Sequence, residues 1–220
     1  MITPLSYTVP MSMLSTALNE VDIDQFRYPI NEPTGNFFYD PWVIKKEFMG
    51  TIWEKILNTL PLNVGEARII TLKPGTCYNS HADVDDRYHL NINGQLSFLV
   101  NLDTMQMFPQ QPNGIWYEMD AGPRHSAANF SVVDRVQLVV RKLLNNSQLE
   151  RSTTIEIKSI SEKPRFVFDD KISPWLNHLN KNKAMNSFTV LSDGVRFNLD
   201  STKLDELDKF SSHKFKINIL

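Results

Sequence analysis

Residues 67–92 read ARIITLKPGTCYNSHADVDDRYHLNI, and the organisation of the chain turns on this stretch. ARIITL is short and β-branched, and Lys73-Pro74-Gly75-Thr76 reads as a turn. From Arg87 the pattern alternates. Tyr88, Leu90 and Ile92 lie on one face of a strand, with Arg87, His89, Asn91 and Asn93 on the other. Such a polar, cationic face fits either an exposed strand or a polar barrel interior. Outward from here, Gln95–Leu102, Gly114–Met119 and Val136–Val140 repeat the strand texture. Short strands at this spacing predict a β-sandwich or barrel.

On the N-terminal side, residues 1–40 read as irregular, with turns at Pro29, Pro33 and Gly35. Asp40 as N-cap and Pro41 at the first helical position predict a helix to Leu60, because Ile44, Phe48, Ile52, Ile56 and Leu60 recur every four residues. On the C-terminal side, TIEIKSI and RFVF are candidate strands, Ser201–Phe210 a short helix and KFKINIL a terminal strand. This divides the chain into residues 1–150 and an extension, 151–220, packed on the same domain.

With 220 residues, 41% of them hydrophobic and 22% charged, the chain has material for a real core. A net charge of −2 gives no electrostatic case for nucleic acid or an anionic membrane. The lone Cys77 excludes an internal disulfide framework. The N-terminus lacks a basic region before an apolar run, and no stretch has the length of a membrane span. The expectation is a cytoplasmic protein.

His81-Ala82-Asp83 places an imidazole and a carboxylate on one side of an extended segment. A second histidine from a distant strand would complete a two-histidine, one-carboxylate face, as non-haem Fe(II) oxygen chemistry uses. By itself the spacing is weak, since about one chain in three of this composition carries His-x-Asp by chance, and a surface pair is the plain alternative. Arg135 adds to it. It heads the apolar run VQLVV, and a buried guanidinium calls for an anionic partner such as a carboxylate. His125 lies ten residues earlier, so two antiparallel strands would set His125 and Arg135 side by side.

The order of motifs from Arg68 to Val140 resembles the aspartyl/asparaginyl β-hydroxylase branch of the 2-oxoglutarate- and Fe(II)-dependent dioxygenases, with the related proline hydroxylases. The matching pieces are Leu72-Lys73-Pro74-Gly75-Thr76, His81-Ala82-Asp83, Arg87-Tyr88-His89-Leu90, Trp116-Tyr117, His125-Ser126-Ala127-Ala128-Asn129 and Arg135-Val136. The resemblance implies a mainly β fold, a double-stranded β-helix (a jelly-roll, cupin-like barrel) with flanking helices. It implies His81, Asp83 and His125 as iron ligands and Arg135 as the clamp on the distal carboxylate of 2-oxoglutarate. Arg87 and His89 match positions that also contact this co-substrate, and Asn129 a structural position. The implied enzyme is a hydroxylase using Fe(II), 2-oxoglutarate and O2 on a free amino acid or an amino-acid residue in a peptide or protein. The alternative is a cupin-like protein that binds a metal or a 2-oxo acid without turnover. Of the remaining residues, Asp85 and Asp86 read as a solvated acidic loop, the alternative being the mouth of the site, Arg124 equally as a surface residue or as a contact for a substrate anion, His178 and His213 as surface residues, Trp116 as core and Cys77 as structural.

Overall fold

The computed structural model describes residues 2–22, 24–160, 168–210 and 214–220. In chain order, β1 (Ile2–Thr8) leads to α1 (Met11–Glu20) and to three short strands, β2 (Arg27–Pro29), β3 (Asn31–Pro33) and β4 (Trp42–Ile44). Helix α2 (Ile52–Leu57) precedes eight strands: β5 (Val64–Leu72), β6 (Thr76–Cys77), β7 (Arg87–Asn93), β8 (Ser97–Asn101), β9 (Gln106–Pro109), β10 (Ile115–Met119), β11 (His125–Asn129) and β12 (Arg135–Lys142). The C-terminal part contains β13 (Ser152–Ser159), α3 (Ser173–Lys181), β14 (Met185–Val190), β15 (Gly194–Asp200) and β16 (Phe215–Ile219).

Strands β5 to β12 form a jelly roll. One sheet has the order β10-β7-β12-β5, extended by β1 and β2 at its two edges; the other has the order β6-β11-β8-β9. All their pairings are antiparallel. Successive strands cross between the sheets, apart from the β8–β9 hairpin, and this strand order is that of a double-stranded β-helix.

The larger sheet turns its apolar face outward. Ile69, Leu90, Trp116, Leu138 and Val140 are buried there against Leu14 and Ala17 of α1 and Trp53 and Ile56 of α2. The helices therefore supply the core on this side, and the opposite face is free to be polar. Cross-strand register sets which residues share that inner face. Arg68 and His89 flank Val139, Asn91 opposes Gln137, and Arg87 opposes Arg141. Of the two readings of the Arg87–Asn93 face, the barrel interior is the observed one, with Arg87, His89 and Asn91 all buried.

The long helix expected from Asp40 to Leu60 is not formed. Residues 42–44 pair with β3 instead, and the Asp40 carboxylate accepts a hydrogen bond from the Asn36 backbone N–H at 2.6 Å, closing a turn. Gly50, at φ 76°, breaks the backbone before α2. Ile44 and Phe48 still pack against the helix-covered core, so the four-residue period marked burial and not helix. The N-terminal segment, expected to be irregular, holds β1 and α1. Pro10 directly before α1, and Leu14, Ala17 and Leu18 along it, are the signal that points to this helix.

Strands β13 to β16 form their own antiparallel sheet, ordered β14-β15-β13-β16. Ile155, Ile157, Trp175, Leu176, Phe188 and Phe197 are buried around it, together with Leu144 from the end of the barrel. The extension is tied to the barrel through α3. Asn177 Nδ2 donates to the Val84 carbonyl at 3.1 Å and to Asp86 Oδ1 at 3.0 Å. Ser201–Phe210 is a 3-10 helix and Phe215–Ile219 a strand. Residues 165–167 of the RFVF segment, and His213, lie outside the described residues. Among the described residues no helix is long and apolar enough to cross a membrane.

Leu90 is fully buried between sheet and helices, so Leu90→Ala should lower unfolding free energy by about 2–5 kcal/mol. Leu96→Ala, at a side chain 58% exposed, should change it by less than about 0.5 kcal/mol in the same urea titration.

Candidate metal centre

His81 and His125 are joined by a pair of backbone hydrogen bonds, His81 N–H to the His125 carbonyl at 3.1 Å and the reverse at 2.8 Å. Directly bonded antiparallel partners project their side chains to the same side. Their rings accordingly lie 4.3 Å apart, centroid to centroid. Each ring is also oriented from behind. His81 Nδ1 is 2.9 Å from the Asn79 carbonyl oxygen and His125 Nδ1 is 2.8 Å from that of Pro123. A carbonyl only accepts, so Nδ1 carries the proton and the lone pair of Nε2 is left facing the site. The Asp83 backbone N–H bonds the Ala121 carbonyl at 2.9 Å, and Asp83 Oδ2 sits 3.9 Å from His125 Nε2. One ligand atom from each of His81, Asp83 and His125 lies within 4.8 Å of the other two. Two imidazoles and a carboxylate, oriented from behind in this way, suit a divalent first-row metal ion.

Arg87 holds Asp83 from the side, at 2.9 Å, and also contacts Asp85. Asp85 reaches Arg141 at 2.8 Å, and Glu66 bonds Arg68 at 2.5 Å and Arg141 at 3.2 Å. Arg87 and Arg141 face each other across the β7–β12 ladder, where like charges repel; the carboxylate of Asp85 between them makes the pairing tenable. Asp85 is therefore buried structure, not part of a solvated loop. Asp86 is likewise occupied, by the Ala121 N–H, Asn177 and Lys181. Partial burial opposes ionisation of Asp83, but Arg87, His125 and His81 hold it well below the usual carboxylate range. Burial, reinforced by His81, pushes His125 down to about 4. Burial and then Arg135 push His89 well below the ordinary imidazole value.

His125 and Arg135 do not lie side by side in a hairpin. They stand on the two facing sheets and meet across the barrel, lining one cavity of about 60 Å³ with His81, Asp83, Arg87 and His89. Arg135 is 1% exposed. It donates to Gln137 Oε1, Gln137 in turn donates to Asn91, and Arg135 Nε has no partner. Tyr78 Oη, Arg68 Nε and His89 Nδ1 in the same lining also lack a well-formed hydrogen bond. Among the described guanidiniums lining this cavity, Arg135 meets no carboxylate, whereas Arg68 and Arg87 do. Buried donors of this kind need a partner, and an anion with several acceptor oxygens suits them.

Sequence reasoning missed Arg68, Tyr78 and Gln137. Arg68 carried the same signal as Arg135, a guanidinium inside an apolar strand. Asn129 fastens the corner before β12, donating to the Leu72 and Val133 carbonyls at 2.9 and 2.8 Å. Trp116 is core, as expected. Arg124 pairs with Asp103 at the surface, and His178 is exposed. Cys77 is exposed on β6.

No family model and no curated protein matches the chain. Among solved structures, it is similar to a Pseudomonas putida prolyl-4-hydroxylase, with a TM-score of 0.38 and 13% identity over 64% of this chain and 86% of that one. It is also similar to a cupin-superfamily sugar phosphate isomerase from Silicibacter pomeroyi DSS-3, with a TM-score of 0.31 and 13% identity over 61% of this chain and 84% of that one.

Replacing Asp85 with Asn should cost about 3–5 kcal/mol of stability, because two buried guanidiniums lose their shared anion; urea unfolding measures it. Acid should also weaken the metal-free fold. Between about pH 6.5 and 4 the unfolded chain protonates His125 and the folded chain does not, so stability falls with pH, by about 3 kcal/mol across the window. Urea titrations in chelator should record this slope, and His125→Gln should flatten it.

Proposed function

We propose that the chain is a 2-oxoglutarate- and Fe(II)-dependent dioxygenase acting as a hydroxylase, of the aspartyl/asparaginyl β-hydroxylase-like branch. The observation that carries this reading is Arg135. It is a fully buried guanidinium that meets no carboxylate among the described residues, on the wall of the cavity that His81, Asp83 and His125 also line. In this reading His81, Asp83 and His125 hold the metal, with both imidazoles presenting Nε2. Fe(II) with 2-oxoglutarate and O2 supplies the oxidising power for hydroxylation, the co-substrate leaving as succinate and CO2. The chain supplies placement. Arg135 binds the distal carboxylate of the co-substrate, and Tyr78 beside it offers a hydroxyl to the same oxygens.

Arg87 has a different part from Arg135. Its guanidinium pairs with Asp83 and Asp85 and so orients the carboxylate ligand, while its Nε, left without a hydrogen-bond partner, stays available to the co-substrate. His89, kept neutral by its surroundings, adds a hydrogen bond to the co-substrate without adding charge. The polar wall around Arg135 and His89 is buried, which strengthens each charge contact made there.

Anaerobic titration of Fe(II) and 2-oxoglutarate should produce the weak visible charge-transfer band of a chelated 2-oxo acid, absent in His81→Ala. Arg135→Ala should bind metal as the parent does and lose co-substrate affinity by roughly 30-fold or more. Unchanged co-substrate affinity in Arg135→Ala would overturn the clamp. A band without substrate-dependent succinate release would favour the binding-protein alternative.

A further inference from the structure

A second cavity opens beside the first and shares Asp83 with it. It is the larger, about 360 Å³, which falls within the size range of small-molecule sites. Its walls come from two parts of the chain. Phe38 belongs to the loop between β3 and β4, while Phe168, Leu176, Phe188, Leu191 and Val195 belong to the C-terminal extension. These walls are built, not incidental. The Phe38 and Phe188 rings meet edge to face at 5.0 Å, and the Phe188 backbone N–H donates to Tyr39 Oη at 2.6 Å. At the rim, the Leu191 N–H bonds the Gly194 carbonyl at 2.8 Å and the Ser159 N–H bonds that of Asp193 at 2.9 Å. Gly194 lies so close to β13 that a Cβ there would stand 2.0 Å from the Ile157 carbonyl oxygen.

The charges along this cleft decide what it accepts. Asp85 and Arg141 neutralise each other, with Glu66 on the other side of Arg141. Asp193 is paired with Lys158 at 3.3 Å. Asp83 is held by Arg87 and faces the metal centre. Among the described residues lining the cleft, the single cation is Arg141, and it is already doubly paired. Among the described lining residues a substrate carboxylate would meet carboxylates and no free cation, so these leave its desolvation uncompensated. A hydrocarbon surface, by contrast, meets aromatic and aliphatic walls.

We propose that this cleft is the substrate subsite, and that it takes an uncharged, largely hydrocarbon small molecule with the C–H to be attacked directed toward Asp83. The inference rests on the oxygenase reading for the word substrate, but the cleft and its ligand preference stand on these walls alone. It narrows the sequence expectation, since a free zwitterionic amino acid brings a carboxylate that the cleft does not receive. Leu191 and Val190, at the rim, then act as specificity residues.

The test uses the full-length protein without metal and the neutral fluorophore N-phenyl-1-naphthylamine. Saturable binding is expected, weakened at least tenfold in Leu191→Asp and in Val190→Asp, the second at a side chain 59% exposed, where folding is not at issue. Adding Co(II), with occupancy followed by its own absorption, should quench the bound fluorophore in the parent protein. In His81→Ala, binding should persist and quenching should be lost. 1-Octanol should displace the fluorophore at least tenfold more effectively than octanoate or L-leucine. Equal binding by both rim variants, absence of quenching with Co(II) bound, or equal displacement by octanoate would each overturn the assignment. If the fluorophore results hold while Fe(II) and 2-oxoglutarate give no chelate band, the oxygenase reading falls and the apolar cleft remains.

Discussion

Charge confined inside a barrel governs this structure. The jelly roll turns Arg68, Arg87, Arg135 and Arg141 inward, where water is scarce and an unpaired ion is costly. Glu66, Asp83 and Asp85 answer three of them. The chain of contacts is continuous, from Glu66 through Arg141 to Asp85, then through Arg87 to Asp83. Its far end is a candidate metal ligand. The fourth arginine, Arg135, is left with neutral neighbours, Gln137 and Tyr78. The same arrangement explains the inverted sheet. With its polar face turned inward, the larger sheet must find its apolar partners outside, and α1 and α2 are those partners.

What could be read from the sequence follows the range of each interaction. Alternation along a strand is local, so the opposite faces of β7 were legible from Arg87 to Asn93. Helical periodicity is local as well, yet it reports only which side chains are buried. Ile44 and Phe48 are packed as their spacing suggested, but one sits on a strand and the other on a 3-10 turn, because Gly50 and the β3–β4 pairing break the segment. The histidine–aspartate pair and Arg135 were legible because each is unusual for its surroundings. Asp85, Glu66 and Tyr78 were not. Their importance depends on cross-strand register and on the meeting of two sheets, which no short window of sequence contains. The placement of His125 and Arg135 carries the same lesson. Ten residues of separation suggested neighbours in a hairpin, whereas the crossing from one sheet to the other makes them opposite walls of a cavity.

The C-terminal extension shows how a small added sheet can complete a site whose chemistry lies elsewhere. Among the described residues it contributes no side chain to the histidine–aspartate group. Instead Asn177 secures the loop that carries Asp83, by way of the Val84 carbonyl and Asp86, while Leu176 on the same helix lines the neighbouring cleft. A single helix thus steadies one rim of the centre and walls the space beside it.

The two kinds of support behind the ligands have unequal durability. The imidazoles are placed by main-chain bonds, the mutual pair between His81 and His125, which salt scarcely touches. The carboxylate is placed by side-chain ion pairs ending at Arg87, and Asp83 is 25% exposed, within reach of salt and competing ions. Loss of the Arg87 contact would free the carboxylate and leave the pair of imidazoles in place. Two nitrogen donors without the hard oxygen favour copper or zinc over iron. If the two imidazoles and this carboxylate hold a metal, the ion-pair chain that ends at Asp83 would bear on which metal they prefer, because it sets whether the hard oxygen is in place.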